Sequence, residues 1–337
     1  MNTAHRNAFL LLSVLGSAAL ASSHAGAQPK RPPVVTERPL AQGPRPAPAL
    51  RTNIANLSTD VTGGGTVTVG TNGSLAGIPI LNGFHFRFQN GDHKLDRIGL
   101  RPTGDQAAYV TFRDRKADDR YKAAATWITL NGGGVRGEVA AFSNGSGMSF
   151  VKFPTPRPPN SRLVLTGFEL RQFSDVNVRV IGIWLDEATN MARVSFSDGD
   201  YAERLGPDGP TAAGTGRGAY PLLSPDLDKL QYWSGFAVRL QYAWIPNEAV
   251  EGEKLLTGNQ RSPDSGVTFP ARSGIQGFEF RYDSGGDHHL KEIGVLPPLP
   301  GAATRTASGV PTNESVAFQD KNRDDAIKWA VKVLDIK

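Results

Sequence analysis

The sequence predicts an all-β protein built from three tandem antiparallel β-sandwich modules, and three observations carry that reading. Apolar residues alternate with polar ones in short runs, Gly, Pro, Asn and Asp separate the runs, and one ordered set of motifs occurs three times. The runs include TVTV (66–69), FHFRF (84–88), LVLTGFEL (163–170), VNVRVIGIWL (176–185) and FAVRLQYAW (236–244). A period of two sends successive side chains to opposite faces, which suits a half-buried strand. Helical periodicity is scarce, and PDLDKL (225–230) has room for one turn only.

Taken in order, residues 1–27 read as a secretory signal peptide: Arg6, an apolar run from Ala8 to Ala21, then Ala25-Gly26-Ala27. The run falls short of the about 20 residues that a membrane-crossing helix needs. The expectation is an exported protein, periplasmic or extracellular, with no transmembrane segment in the mature chain. Residues 28–55 follow as a Pro-rich linker, because QPKRPPVVTERPLAQGPRPAPAL favours extended polyproline-type backbone and has little to bury.

The repeats occupy 56–132, 133–247 and 248–337. Each carries a V-x-[VF] strand (Val67 to Val69, Val151 to Phe153, Val267 to Phe269), then Gly-Phe (Gly83-Phe84, Gly167-Phe168, Gly277-Phe278). Next comes an Ile-Gly strand centre at Ile98-Gly99, Ile181-Gly182 and Ile293-Gly294. An aromatic then precedes an acidic turn, in FRDRKADD (112–119), FSDGDYAE (196–203) and FQDKNRDD (318–325). KAAATWITL (122–130), FAVRLQYAWIP (236–246) and KWAVKVLDI (328–336) close the copies. NGGGVRG (131–137) and PNEAVEGE (246–253) mark the boundaries, and the second copy holds a Gly- and Pro-rich insertion at 204–231.

This order of elements resembles the H-type lectin domain, a six-stranded antiparallel β-sandwich. The resemblance is carried by VKFPTPRPPNSRLVLTGFELRQFSDVNVRVIGIWLD, FSDG and YAWIP in the second copy, with ATWITL at the last strand of the first. In the third copy Trp329 comes earlier, and Leu334 stands near the expected Trp position. The likeness implies sugar binding between neighbouring modules. It also implies a trimer-like arrangement, which three copies in one chain would make covalent; beads on a string fit the sequence equally well.

Composition narrows the function. A chain of 337 residues with 39% hydrophobic content can bury real cores. No cysteine is present, which removes disulfides, thiolate metal sites and cysteine nucleophiles. The net charge of +5 is spread among acidic residues rather than gathered in basic clusters, so no nucleic-acid partner is expected.

The densest set of reactive side chains lies in GFEFRYDSGGDHHLKEIGVLPP (277–298), at Asp287, His288 and His289. Its counterparts are Asp92-His93-Lys94 in the first copy and Asp175, without histidine, in the second. A catalytic group is needed once and in one geometry, whereas a polar turn can vary between copies, so the turn reading is favoured. Adjacent histidines on extended backbone face opposite ways and do not chelate one metal together. Asp320, Asn322 and Asp324 alternate as calcium ligands do, but no copy has the turn glycine or the late bidentate glutamate of an EF-hand. Solvated turns are favoured there, with calcium as the one cofactor to consider. Phe112, Trp127, Phe196, Trp244, Phe318 and Trp329 read as core, while Trp184 and Trp233 are candidates for stacking on a sugar ring.

The chain has no nucleophile elbow, P-loop or H-E-x-x-H. The function expected is therefore an exported, non-enzymatic recognition protein for a glycan or envelope polymer. Its ligand-binding candidates are Asp92, His93, Asp175, Trp184, Trp233, Asp287 and His288. The alternatives are an envelope assembly component that contacts another envelope protein, and a metal-dependent hydrolase that uses Asp287 and His288.

Overall fold

The computed structural model describes residues 51–143, 147–173, 177–197, 217–218, 220–221, 227, 235–259, 269–270, 272–283, 288–295, 316–320 and 326–337. Residues 1–50, which include the segment read as a signal peptide and most of that read as a linker, lie outside this set.

Alternation becomes strand throughout. The first copy forms β1 (Arg51–Val61), β2 (Thr66–Gly70), β3 (Ile78–Phe88), β4 (Arg97–Gly104), β5 (Ala107–Arg113) and β6 (Tyr121–Asn131). The second forms β7 (Val135–Ser143), β8 (Gly147–Lys152), β9 (Ser161–Gln172), β10 (Val180–Asp186) and β11 (Met191–Ser197). Its insertion adds two short strands, β12 (Arg217–Gly218) and β13 (Tyr220–Pro221), before β14 (Phe236–Pro246) closes the copy. The third forms β15 (Val250–Gly258), β16 (Ser273–Tyr282), β17 (Glu292–Val295), β18 (Val316–Gln319) and β19 (Ile327–Ile336).

Three sheets result, with orders β1-β6-β3-β17-β18, β13-β7-β14-β9-β4-β5-β2 and β12-β8-β11-β10-β16-β19-β15. We call them first, second and third after the copy that supplies the Gly-Phe strand. Pairing is antiparallel except between β12 and β8. Each sheet draws on two copies, because a Gly-Phe strand pairs with the Ile-Gly strand of another copy: β3 with β17, β9 with β4, β16 with β10. The links join copy one to two, two to three and three back to one. The copies therefore form a closed pseudo-threefold ring within one compact unit rather than beads on a string.

Two devices align the copies. Phe84, Phe168 and Phe278 meet around the pseudo-axis with ring centroids 4.9–5.4 Å apart, and all three are fully buried. Immediately before each Gly-Phe pair the strand carries one extra residue, a β-bulge at Asn82, Thr166 and Gln276. All three bulge residues are buried, and each bonds another copy. Ser273 N–H donates to Asn82 Oδ1 (2.7 Å), Trp127 Nε1–H to the Thr166 carbonyl (2.9 Å), and Gln276 Nε2–H to the Leu163 carbonyl (2.8 Å). A buried amide left unbonded would cost about 1–3 kcal/mol, so these contacts select the pairing of copies.

The structure also alters three details. The first strand begins at Arg51, inside the segment read as linker. The strands that open each copy, β1, β7 and β15, have no place in the repeated motif set. The tryptophans of the closing strands are not equivalent: Trp127 faces Leu81, the matching residues are Tyr242 (facing Leu165) and Val333 (facing Ile275), and Trp244 lies two positions further on. All six aromatics expected in the core are buried. Of the insertion, Leu227 is buried with Phe142, Phe173 and Ala237. Among the described residues no helix is long and apolar enough to cross a membrane.

Phe168→Ala removes one of the three axial rings and two of the three ring contacts. It is expected to cost about 3–5 kcal/mol while urea unfolding, followed by far-UV circular dichroism, keeps one cooperative transition for the whole ring.

Candidate functional site

The turns singled out in the sequence meet where the first and third copies join. His93 and Leu290 form an antiparallel bridge, His93 N–H donating to the Leu290 carbonyl (3.0 Å) and Leu290 N–H to that of His93 (2.9 Å). His288 and His289 do diverge: His288 is buried and stacked on Tyr282 (4.3 Å), whereas the half-exposed His289 stands 4.0 Å from Asp92. His93 packs against Phe88 (4.6 Å), the counterpart of Tyr282. Asp175, Trp233, Asp287, Asn322 and Asp324 lie outside the described residues, and Asp320 is half-buried.

His93 faces the acidic turn of its own copy, with Nδ1 2.7 Å from Asp119 Oδ2 and 4.0 Å from Asp114 Oδ2. The other oxygen of Asp114 accepts the backbone N–H groups of Lys116 (3.0 Å) and Ala117 (2.9 Å) and so shapes the turn. Burial, reinforced by Asp114 and opposed by His93, pushes the Asp119 carboxyl above its ordinary range. Donor atoms of His93, Asp114 and Asp119 lie within 4.8 Å of one another, a set that can hold a metal ion. An imidazole nitrogen beside two carboxylates suits zinc better than calcium, which takes oxygen ligands.

A second polar constellation went unread in the sequence. The residue after each repeated Phe points away from the core, yet His85, Glu169 and Glu279 are each at most 1% exposed. Each lies across the glycine of an Ile-Gly pair: Gly99 opposite Glu169, Gly182 opposite Glu279, Gly294 opposite His85. A Cβ at these glycines would fall 2.9, 2.8 and 2.8 Å from the facing side chain, so only glycine admits it. The fit is reciprocal, because a Cβ on Gly167 would strike Arg101 (2.7 Å) and one on Gly277 would strike Trp184 (2.7 Å).

On the second sheet, Glu169 accepts hydrogen bonds from Arg97 Nε (2.7 Å) and Tyr109 Oη (2.8 Å), and a longer one from Arg101 Nε (3.3 Å). The Arg101 guanidinium lies over the Tyr109 ring (4.2 Å). Burial, with Glu169 beside it, pushes the Tyr109 hydroxyl up to about 12, so it remains a donor at neutral pH. On the third sheet the partners are exchanged. Trp184 occupies the place of Arg101, Arg193 that of Tyr109, and Arg193 bonds Glu279 (2.6 Å) with its guanidinium 5.9 Å from the Trp184 ring centre. Trp184, a sugar-stacking candidate, is 7% exposed, with its ring packed over Gly277, so it does not offer a free face for stacking. On the first sheet His85 Nε2–H donates to Glu292 (2.7 Å), which Gln319 also bonds.

The sequence signal for this network was available: F-[EH]-x-R recurs at 84–87, 168–171 and 278–281, with glycine in each Ile-Gly pair. What was missing was the register that sets one against the other. The hollow around Pro158, Pro159 and Asn160, walled by Trp244 and Pro246, contains none of the residues expected to bind ligand. No protein-family model matches the chain, and no curated protein matches it.

Burial opposes ionisation of Glu292, but the hydrogen bond and charge of His85, with Arg87 and Gln319, hold its carboxyl below the ordinary value of 4.5. Its contribution to stability is complete above about pH 4.5 and is lost as pH falls through the lower folded value. Urea midpoints measured from about pH 6 down to about pH 3 should therefore fall more steeply for the wild type than for Glu292→Gln. For the His93 cluster, zinc should raise the thermal midpoint by about 2–4 °C, EDTA should reverse the rise, and calcium should do neither. His93→Ala should abolish the zinc response.

Proposed function

We propose that this is an exported recognition protein that binds carbohydrate or another envelope polymer without catalysis. The observation that carries the reading is the outer-face network: one scaffold position presented three times, each with a different set of planar polar and aromatic groups. A catalytic centre needs one arrangement. A recognition surface gains from several, because linked weak sites raise avidity without new contacts. Arg101, 18% exposed and lying over the Tyr109 ring, supplies the chemistry that sugars require, a flat group beside donors and acceptors, whereas Trp184 and Arg193 are buried beneath the third sheet's face. Export is supported by the leader-like residues 1–27, and the lectin-like order of motifs agrees with the ligand class.

The His93, Asp114 and Asp119 group is assigned to ordering the turn at the junction of two copies, with zinc as its accessory ion. The polar turns themselves are the second contact surface of this reading.

A pull-down on insoluble and soluble polysaccharides, followed by isothermal titration with the retained one, tests the proposal. Retention should drop about tenfold in Arg101→Ala, about 1.4 kcal/mol of binding. Failure to retain any polysaccharide, with selective cross-linking to one envelope protein, would instead select the assembly role.

A further inference from the structure

The three outer faces are not equal in charge. Opposite the buried acid of the Gly-Phe strand, the closing strand of the second sheet carries Arg239, facing Glu169. The other two sheets have alanine at that position, Ala330 facing Glu279 and Ala124 facing His85. Arg239 is therefore not required by the scaffold, since two of three copies of the same site are built without it.

Its surroundings do not satisfy it. The Arg239 side chain is 8% exposed, yet its closest carboxylate oxygens are Glu138 Oε1 at 3.7 Å and Glu169 Oε2 at 3.8 Å, both outside hydrogen-bonding reach. Its Nε is buried without a hydrogen-bond partner. Glu138, the nearer acid, is 39% exposed and is bonded by Gln241 (2.7 Å). On the other side of the same Glu169 oxygen sits Arg101, held by one long contact of 3.3 Å and 18% exposed. Arg97 takes up the remaining oxygen of Glu169.

Three guanidinium groups thus converge on one buried carboxylate. Burying like charges together is costly unless opposite charge compensates them, and a guanidinium offers five donors suited to planar or tetrahedral oxyanions. In the neighbouring row Arg97 is flanked by Arg113 and Arg171 across the strands, and Asp96 lies among them, 3.4 Å from Arg113. On the third sheet Glu279 is paired with Arg193 at 2.6 Å.

We propose that the outer face of the second sheet is a subsite for an acidic sugar, with Arg101 and Arg239 engaging a carboxylate or sulfate group of a polysaccharide. The inference rests on the recognition reading above and narrows its ligand class. Tyr109, held as a donor against Glu169, keeps the Arg101 guanidinium flat and oriented. Arg101 is the outermost of the three groups and meets the anion first. Arg239 then completes the second side of the pair.

The test is isothermal titration of the full chain with polygalacturonate, dextran sulfate, neutral dextran and single-stranded DNA, repeated with Arg239→Ala and Arg101→Ala. Arg239→Ala reproduces the residue found in the other two sheets, and an unchanged thermal midpoint verifies its fold. The expected result is binding to at least one acidic polysaccharide and not to neutral dextran. Affinity should weaken about tenfold in each variant and should decline as salt is raised. Equal affinity for acidic and neutral polymers, or no effect of Arg239→Ala, would overturn the acidic subsite and leave carbohydrate recognition standing. Tighter binding to DNA than to either acidic polysaccharide would overturn the assignment to a sugar. Absence of binding to every polymer in the panel, extended to neutral cell-wall glycans, would remove the recognition reading as well.

Discussion

The structure depends on one contact: the pairing of each Gly-Phe strand with the Ile-Gly strand of another copy, where a buried Glu or His lies over a bare glycine. Because the strands beyond that contact belong to the donor copy, no copy encloses its own core. The apolar cluster runs continuously from Phe84 through Phe168 and Phe278. Burial of such side chains drives collapse but has no direction. Direction comes from the polar groups, above all the Asn82, Thr166 and Gln276 bulges and the Glu169 and Glu279 networks. Their bonds cannot be made with a slipped register, since a shift by one residue turns every side chain to the opposite face.

The same contact separates what must stay from what can vary. Glycine must stay at positions 99, 182 and 294, because a Cβ would enter the facing side chain. The aromatic and cationic partners can trade places: Arg101 over Tyr109 in one sheet becomes Trp184 beside Arg193 in the next, with the acid bonded in both. At Arg239 even charge is free to change, to judge from Ala330 and Ala124. A ring that is tied internally by backbone and glycine leaves its outer positions open to different side chains on each sheet.

The histidines that dominate the linear sequence play a more local part. His93 and Leu290 join two copies through backbone bonds, which any residue but proline would make. Its side chain then closes on Asp119 across the turn. His288, in the same repeat position, keeps the stacking on an aromatic that His93 shows with Phe88. The turn richest in reactive side chains, read as a polar turn, lies at a junction, and the densest charge lies on a sheet face whose residues are scattered along the chain.

Alternation, turn residues and the threefold recurrence of Gly-Phe and Ile-Gly were enough to determine an all-β chain in three copies, because strand period and glycine are local properties of the sequence. The core aromatics were legible for the same reason. The exchange of strands between copies was decided only in the tertiary structure, since ladder hydrogen bonds are made by backbone that is alike in every copy. The closing-strand tryptophans were misaligned because one bulged residue shifts the register without a mark in the alternation. The Glu169 site also required the fold, which brings Arg97 and Glu169 together across 72 residues of chain. Sequence spacing measures distance along the chain, and the charge on that face is set by distance across it.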